Sequence, residues 1–177
     1  MGMNSLKILH TSDWHLGKKL YKYSRHEEHV FFLNWLENFL QNNRYDVLIV
    51  AGDIYDTPHP PDSALKLFYD FLYRLTQKVD IHIFILSGNH DSGRFLSAPS
   101  QLLKNYKVHL VGSLGENIEE FKQNNIIEIK KKKLRLVGLP FFRTHEILKF
   151  VKLNDEQKID SDVILKGIKD LVDSVPS

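Results

Sequence analysis

Apolar positions along the chain follow two different periods. Residues 47–51 (Val-Leu-Ile-Val-Ala) form an unbroken apolar run that stops at Gly52-Asp53. Residues 81–86 are nearly as apolar and stop at Ser87-Gly88, and residues 6–11 form a third candidate strand ahead of Ser12-Asp13. Short continuous runs of this kind are strands buried on both faces, as in a parallel sheet. Between them the spacing turns helical. Val30, Phe31, Leu33, Leu36, Phe39 and Leu40 predict a helix over 26–42, ended by Asn42-Asn43. Leu65, Phe68, Leu72 and Leu75 predict a second helix running to about residue 76, capped by Asp62 or Ser63 after the rigid loop with Pro58, Pro60 and Pro61. Strand, helix, strand, helix, strand makes two βαβ units with right-handed crossovers.

The pattern then changes. A short helix over 100–105 and a strand over 108–111 follow, then two strands, 126–129 and 134–137, around the turn Lys130–Lys133. Ile159, Val163, Ile164, Ile168, Leu171, Val172 and Val175 share one helical face near the end. At 177 residues the chain fits one domain, 1–177, of α/β class with helices flanking the sheet. A net charge of +2 does not by itself point to nucleic acid or a membrane. No apolar stretch approaches the roughly 20 residues of a membrane span. A cytoplasmic protein with no membrane partner is the expectation. Zero cysteines exclude disulfides and zinc-thiolate sites, and nine histidines tilt any metal chemistry toward nitrogen and oxygen ligands.

The three strands end alike, in Asp13-Trp14-His15, Gly52-Asp53 and Gly88-Asn89-His90-Asp91. Open α/β sheets bind ligands beyond the carboxyl ends of their strands. Neighbouring strands lie about 4.8 Å apart, so the three ends come side by side. Taken singly, each is equally a turn: an Asp bonding its own backbone, or a His packed beneath it. Together they predict a metal site. Asp13 and His15, two apart, point the same way, and Asp53 is the shared carboxylate. Two divalent ions about 3.5–4 Å apart can hold a phosphate and generate hydroxide. Asn89 and the imidazoles suit manganese, iron or zinc. His90 is the candidate general acid or transition-state stabiliser for the leaving oxygen, with Asp91 as its candidate orienting partner.

With these residues, His10 to Gly17, Ala51 to Thr57 and Ser87 to Ser92 resemble the calcineurin-like metallophosphoesterases. More narrowly they are similar to the SbcD-type nucleases of SbcC–SbcD DNA repair complexes. Tyr23-Ser24-Arg25 with Glu28-His29, and Pro140 to Arg143, fit that branch as well. The resemblance implies a two-sheet αββα sandwich, with Asp13 and His15 on a first metal, Asp53 bridging, Asn89 on the second and His90 catalytic. Asp56 stands where archaeal relatives can carry a histidine. Also implied are two ions, Mn2+ foremost, DNA ends as substrate, an SbcC-like ATPase partner and a homodimer in the full-length protein.

This chain departs from that branch after His90. The branch supplies three further histidines from Gly-His and Gly-His-x-His motifs, and neither occurs here. His109 and His145 lack such surroundings and are expected to be structural or surface residues. The chain is therefore expected to be the amino-terminal part of a roughly twice longer protein, weak or inactive alone. Apolar surface is expected to lie exposed, to drive self-association or to be covered by the last helix. His26 and His29 are expected to be helix or surface residues, His59 a loop residue and His82 a strand residue. Lys18, Lys19, Lys22 and Arg25, interleaved with Tyr21 and Tyr23, form either a DNA-tracking loop or a solvated one. Lys130 to Lys133 is expected to be a solvated turn. Two other functions fit the motifs: a phosphatase or phosphodiesterase for non-DNA substrates, and a non-catalytic scaffold for an ATPase. Thr57 after Asp56 and Asp91 after His90 depart from the phosphoprotein phosphatase pattern.

Overall fold

The computed structural model describes residues 5–151 and 160–175. The chain divides into two compact units that meet in sequence at Gly112 and Ser113.

In the first unit a four-stranded parallel sheet is built from β1 (Ile8–Thr11), β4 (Val47–Ala51), β5 (His82–Leu86) and β6 (Val108–Val111), in that spatial order. A two-stranded hairpin, β2 (Lys19–Leu20) and β3 (Tyr23–Ser24), lies between β1 and the first helix. Leu9, Leu48, Ile83 and Val108 form one cross-strand row. Because side chains alternate along a strand, this row and the next, with Val50, Ile85 and Leu110, point to one face. There they join the core under α1 (His26–Asn42) and α2 (Asp62–Lys78). Leu33, Leu36, Leu40, Phe68, Phe71 and Leu75 are the buried stripe of those helices. Val47, Phe84 and Val111, on the opposite face, are also buried, whereas Ile8 at the β1 edge is 40% exposed.

The helices are tied by charge as well as by apolar contact. Glu37 of α1 is buried and accepts hydrogen bonds from Arg74 at 2.8 Å and Lys78 at 2.6 Å on α2. The amino terminus of α2 differs from expectation. Pro61 occupies the N-cap position and no side chain caps the helix, so Asp62 is its first residue rather than its cap. Proline sets the extended backbone that the chain needs before the first turn. The crossover from β5 to β6 holds α3 (Gly93–Ser97), capped by Ser92, and α4 (Ser100–Leu103), which runs into a 3-10 turn at Lys104–Tyr106.

The second unit holds α5 (Ile118–Asn125), the antiparallel pair β7 (Ile126–Ile129) and β8 (Leu134–Val137), α6 (Thr144–Ile147) and α7 (Ser161–Asp173). Its core joins Leu114, Phe121, Ile147, Phe150 and Leu171, so α7 packs on residues of its own unit. Ile159, assigned to that helical face from sequence, lies outside the described residues. No helix among the described residues is long and apolar enough to cross a membrane.

Candidate metal centre

The loops after β1 and β4 extend the parallel ladder past the strand ends. The Asp13 amide donates to the Gly52 carbonyl at 3.1 Å, His15 to Asp53 at 3.0 Å and Leu16 to Ile54 at 2.9 Å. Trp14 and Leu16 are buried, and Trp14 meets Phe71 edge to face at 5.5 Å. With these two as anchors, Asp13 and His15 are left on the open side. The backbone is bent to do this. Asp13, His15 and Asp53 all have left-handed φ, at 57°, 46° and 52°. Non-glycine residues adopt that region at a cost, and such residues cluster at functional sites.

Two glycines let the loops close up. Gly52 has φ 90°, and a Cβ there would lie 2.9 Å from the Gly88 Cα. A Cβ on Gly88 would lie 2.0 Å from Asp53 Oδ1. The Asp53 carboxylate therefore rests against bare backbone, where its Oδ1 accepts the His90 amide at 3.0 Å.

His15, Asp53 and His90 each offer a donor atom within 4.8 Å of the others, the single such grouping of three or more His, Asp or Glu among the described residues. His15 Nε2 lies 3.9 Å from Asp53 and 3.8 Å from Asp13, and its ring meets that of His90 edge to face at 4.9 Å. One shared carboxylate, a second at the rim and two imidazoles fit a divalent ion with nitrogen and oxygen preference. Asn89 stands exposed in the same loop, beside His90.

Two residues of uncertain role from sequence acquire definite contacts. Asp56 Oδ1 lies 3.3 Å from His15 Nδ1 and 3.1 Å from Lys18 Nζ. Its carbonyl oxygen lies 2.9 Å from His90 Nδ1. Asp56, rather than Asp91, orients the His90 ring. The Asp91 carboxylate accepts the amides of Gly88 at 2.8 Å, Ile54 at 3.1 Å and Tyr55 at 2.9 Å, which locks the third loop to the second.

Of the four basic residues after His15, Lys18 pairs with Asp56 and Arg25 with Glu28. Lys19 belongs to the exposed hairpin, and Lys22 lies 5.5 Å over the Tyr23 ring, beside Tyr21, which is 94% exposed. His29 is a helix residue, one of the two expectations for it. It is buried, and burial first, then the Arg25 charge, holds its imidazole below the usual range. Its position one turn into α1 next to Val30 and Leu33 was the available signal. His109 is structural, stacked on His82 at 5.7 Å.

A family model described as calcineurin-like phosphoesterase matches residues 6–174. Among curated proteins, the chain is similar to the SbcD component of nuclease SbcCD from Escherichia coli K12, with 42% identity over 110 residues, covering 62% of this chain and 27% of that protein. The same component from Bacillus subtilis is 40% identical over 107 residues, covering 60% and 27%. That of Rhodobacter capsulatus is 32% identical over 148 residues, covering 80% and 36%. The chain thus spans between about a quarter and two fifths of the length of these relatives.

Proposed function

Because the chain belongs to the calcineurin-like phosphoesterase family, we propose that it serves as a metal-dependent nuclease of the SbcD type, hydrolysing phosphodiester bonds at DNA ends in repair and recombination. The observation that carries this is the meeting of His15, Asp53 and His90 at the carboxyl ends of parallel strands. The relatives' names, which call them nuclease subunits, support a nucleic acid over other phosphoesters.

In this proposal Asp13, His15, Asp53 and Asn89 would hold the divalent ions, with Asp53 common to both and Mn2+ suited to the mixed donors. Bound ions would supply Lewis acidity and an activated water. The net reaction adds water across one P–O bond, and the leaving sugar oxygen takes up a proton. His90 is the group available to carry that proton. With Nδ1 engaged by the Asp56 carbonyl, its Nε2 is the free nitrogen. Lys18, Lys19, Lys22 and Arg25 would contact the DNA backbone. The assembly proposed is cytoplasmic, with an SbcC-like ATPase and a second copy of the nuclease.

Among the described residues the donors gathered here are few for two ions, and no Gly-His pair follows His90 in the 177 residues. The 177-residue chain is therefore expected to cut slowly. The test is a panel at high protein concentration with Mn2+, containing linear DNA and nitrophenyl phosphomono- and diesters. Slow loss of DNA ends that disappears in Asp53→Ala supports the proposal. Hydrolysis confined to monoesters contradicts it. Fast DNA cleavage contradicts the expectation of weakness.

A further inference from the structure

A cavity of about 550 Å³ opens beside the metal-centre residues, between the loop after β1 and the first turns of α1. Asp13 and His15 form one wall, so whatever occupies it touches the same side chains that face the candidate metal centre. Trp14, Lys18, Arg25, Glu28, His29 and Phe32 are among its other lining residues. This size falls in the range that holds small organic ligands.

The lining is divided in a way that matches a nucleotide. Trp14 and Phe32, in edge-to-face contact at 5.9 Å, give an apolar wall. Lys18 and Arg25 give two cations at the mouth, 42% and 41% exposed. Each is held by one carboxylate, Lys18 by Asp56 and Arg25 by Glu28 through a single oxygen. Exposed pairs of this kind are weak, so a phosphate can draw either cation away. His29 is 6% exposed, and its Nδ1 has no hydrogen-bond partner. Buried polar atoms are almost always satisfied, and an exception asks for a ligand, a water or an ion. Burial, then the Arg25 charge, lowers the pKa of this imidazole and so favours its neutral form, which can both give and accept a hydrogen bond, as the amide and amine edges of a base require.

We infer that this cavity is the subsite for the nucleoside next to the cleaved phosphodiester, with base or sugar against Trp14 and Phe32 and the following phosphate at Lys18 and Arg25. The inference rests on the nuclease reading but concerns binding, and it can be tested without metal.

The experiment is a titration of the metal-free 177-residue chain with deoxyadenosine 5′-monophosphate, deoxyribose 5-phosphate and inorganic phosphate, followed by calorimetry and by NMR shifts of the His29 and Trp14 rings. The nucleotide is expected to bind at least about tenfold tighter than inorganic phosphate. Arg25→Gln and Lys18→Gln, both at the surface, are expected to weaken it about fivefold each, and Arg44→Gln, an exposed cation past the end of α1 and outside the cavity lining, to leave it within about twofold. Phosphate binding as tightly as the nucleotide, or unchanged affinity in both Arg25→Gln and Lys18→Gln, would overturn the inference. Nucleotide capture in the cavity by a chain that cuts no DNA would retain the subsite and remove the nuclease reading. DNA cleavage with no nucleotide capture would do the reverse.

Discussion

Asp56 Oδ1 lies 3.3 Å from Nδ1 of His15, while the carbonyl of the same residue lies 2.9 Å from Nδ1 of His90. One residue thus lies against Nδ1 of both imidazoles, through a hydrogen bond at His90 and at ion-pair distance, without hydrogen-bond geometry, at His15. Partners that hold a ligating histidine by its second nitrogen typically change metal affinity about 10–100-fold when removed. Asp56→Ala frees the His15 ring but keeps the backbone carbonyl at His90. It is expected to weaken Mn2+ binding by roughly that factor while leaving the circular dichroism spectrum unchanged. Equal affinity in variant and parent would show that Asp56 has no positioning role.

Gly88 tests the closeness of the loops. Any Cβ there falls 2.0 Å from Asp53 Oδ1. Gly88→Ala must displace the carboxylate or the backbone, at a cost of about 1–3 kcal/mol. Lower stability in urea together with loss of Mn2+ binding is expected. A variant with parental stability and affinity would mean that the loops are not packed this tightly.

Glu37 tests the helix pair. Burial pushes its carboxyl up, but hydrogen bonds from Lys78 and Arg74 outweigh this and hold it below the usual range. The stability it contributes is present above the unfolded value near pH 4.5 and is lost as pH falls through the lower folded value. Arg74 and Lys78 can turn to water once the carboxylate is gone. Glu37→Gln is therefore expected to cost about 1–3 kcal/mol at pH 7, less than a fully buried pair. Its effect should shrink toward pH 3 in urea melts; a loss independent of pH would assign the effect to packing.

His109 carries the opposite charge logic on the sheet. Burial first, then His82 and Lys104, push its imidazole down to about 4. Burial and Lys107 lower His82 too, against a smaller pull from Asp80. The unfolded chain takes up a proton near pH 6.5, which the folded chain refuses until about pH 4. Stability from this group is complete above pH 6.5 and falls as pH drops toward 4. Between pH 7.5 and 5 the loss from His109 is about 2 kcal/mol at most. His109→Phe, stacked in its place, should reduce the fall in urea stability over that interval. An unchanged pH slope would contradict the shift.

The sheet and its helices were legible because their apolar runs are long and strongly periodic. The helix over 26–42 and the strands over 108–111, 126–129 and 134–137 appear with the expected bounds. The missed elements bury little. The hairpin of β2 and β3 is two residues per strand and exposed, and α5 is mostly polar, held by Phe121 and the Asn117 cap. At the site, the spacing of Asp13, His15, Asp53 and His90 was readable because the strand ends fix their neighbours. What Asp56 and Asp91 touch was not, since it depends on left-handed backbone at Asp13, His15 and Asp53 that sequence patterns do not reveal. The apolar stripe of α7 was legible as a stripe, and it closes the core of its own unit.

The claim on which the rest depends is that Asp53 is the centre of a metal site in this molecule. Mn2+ titration followed by electron paramagnetic resonance, on the parent chain and on Asp53→Asn, tests it directly. The account predicts weak but saturable binding by the parent that Asp53→Asn abolishes, with the fold of both intact by circular dichroism. Equal binding by both chains would contradict it.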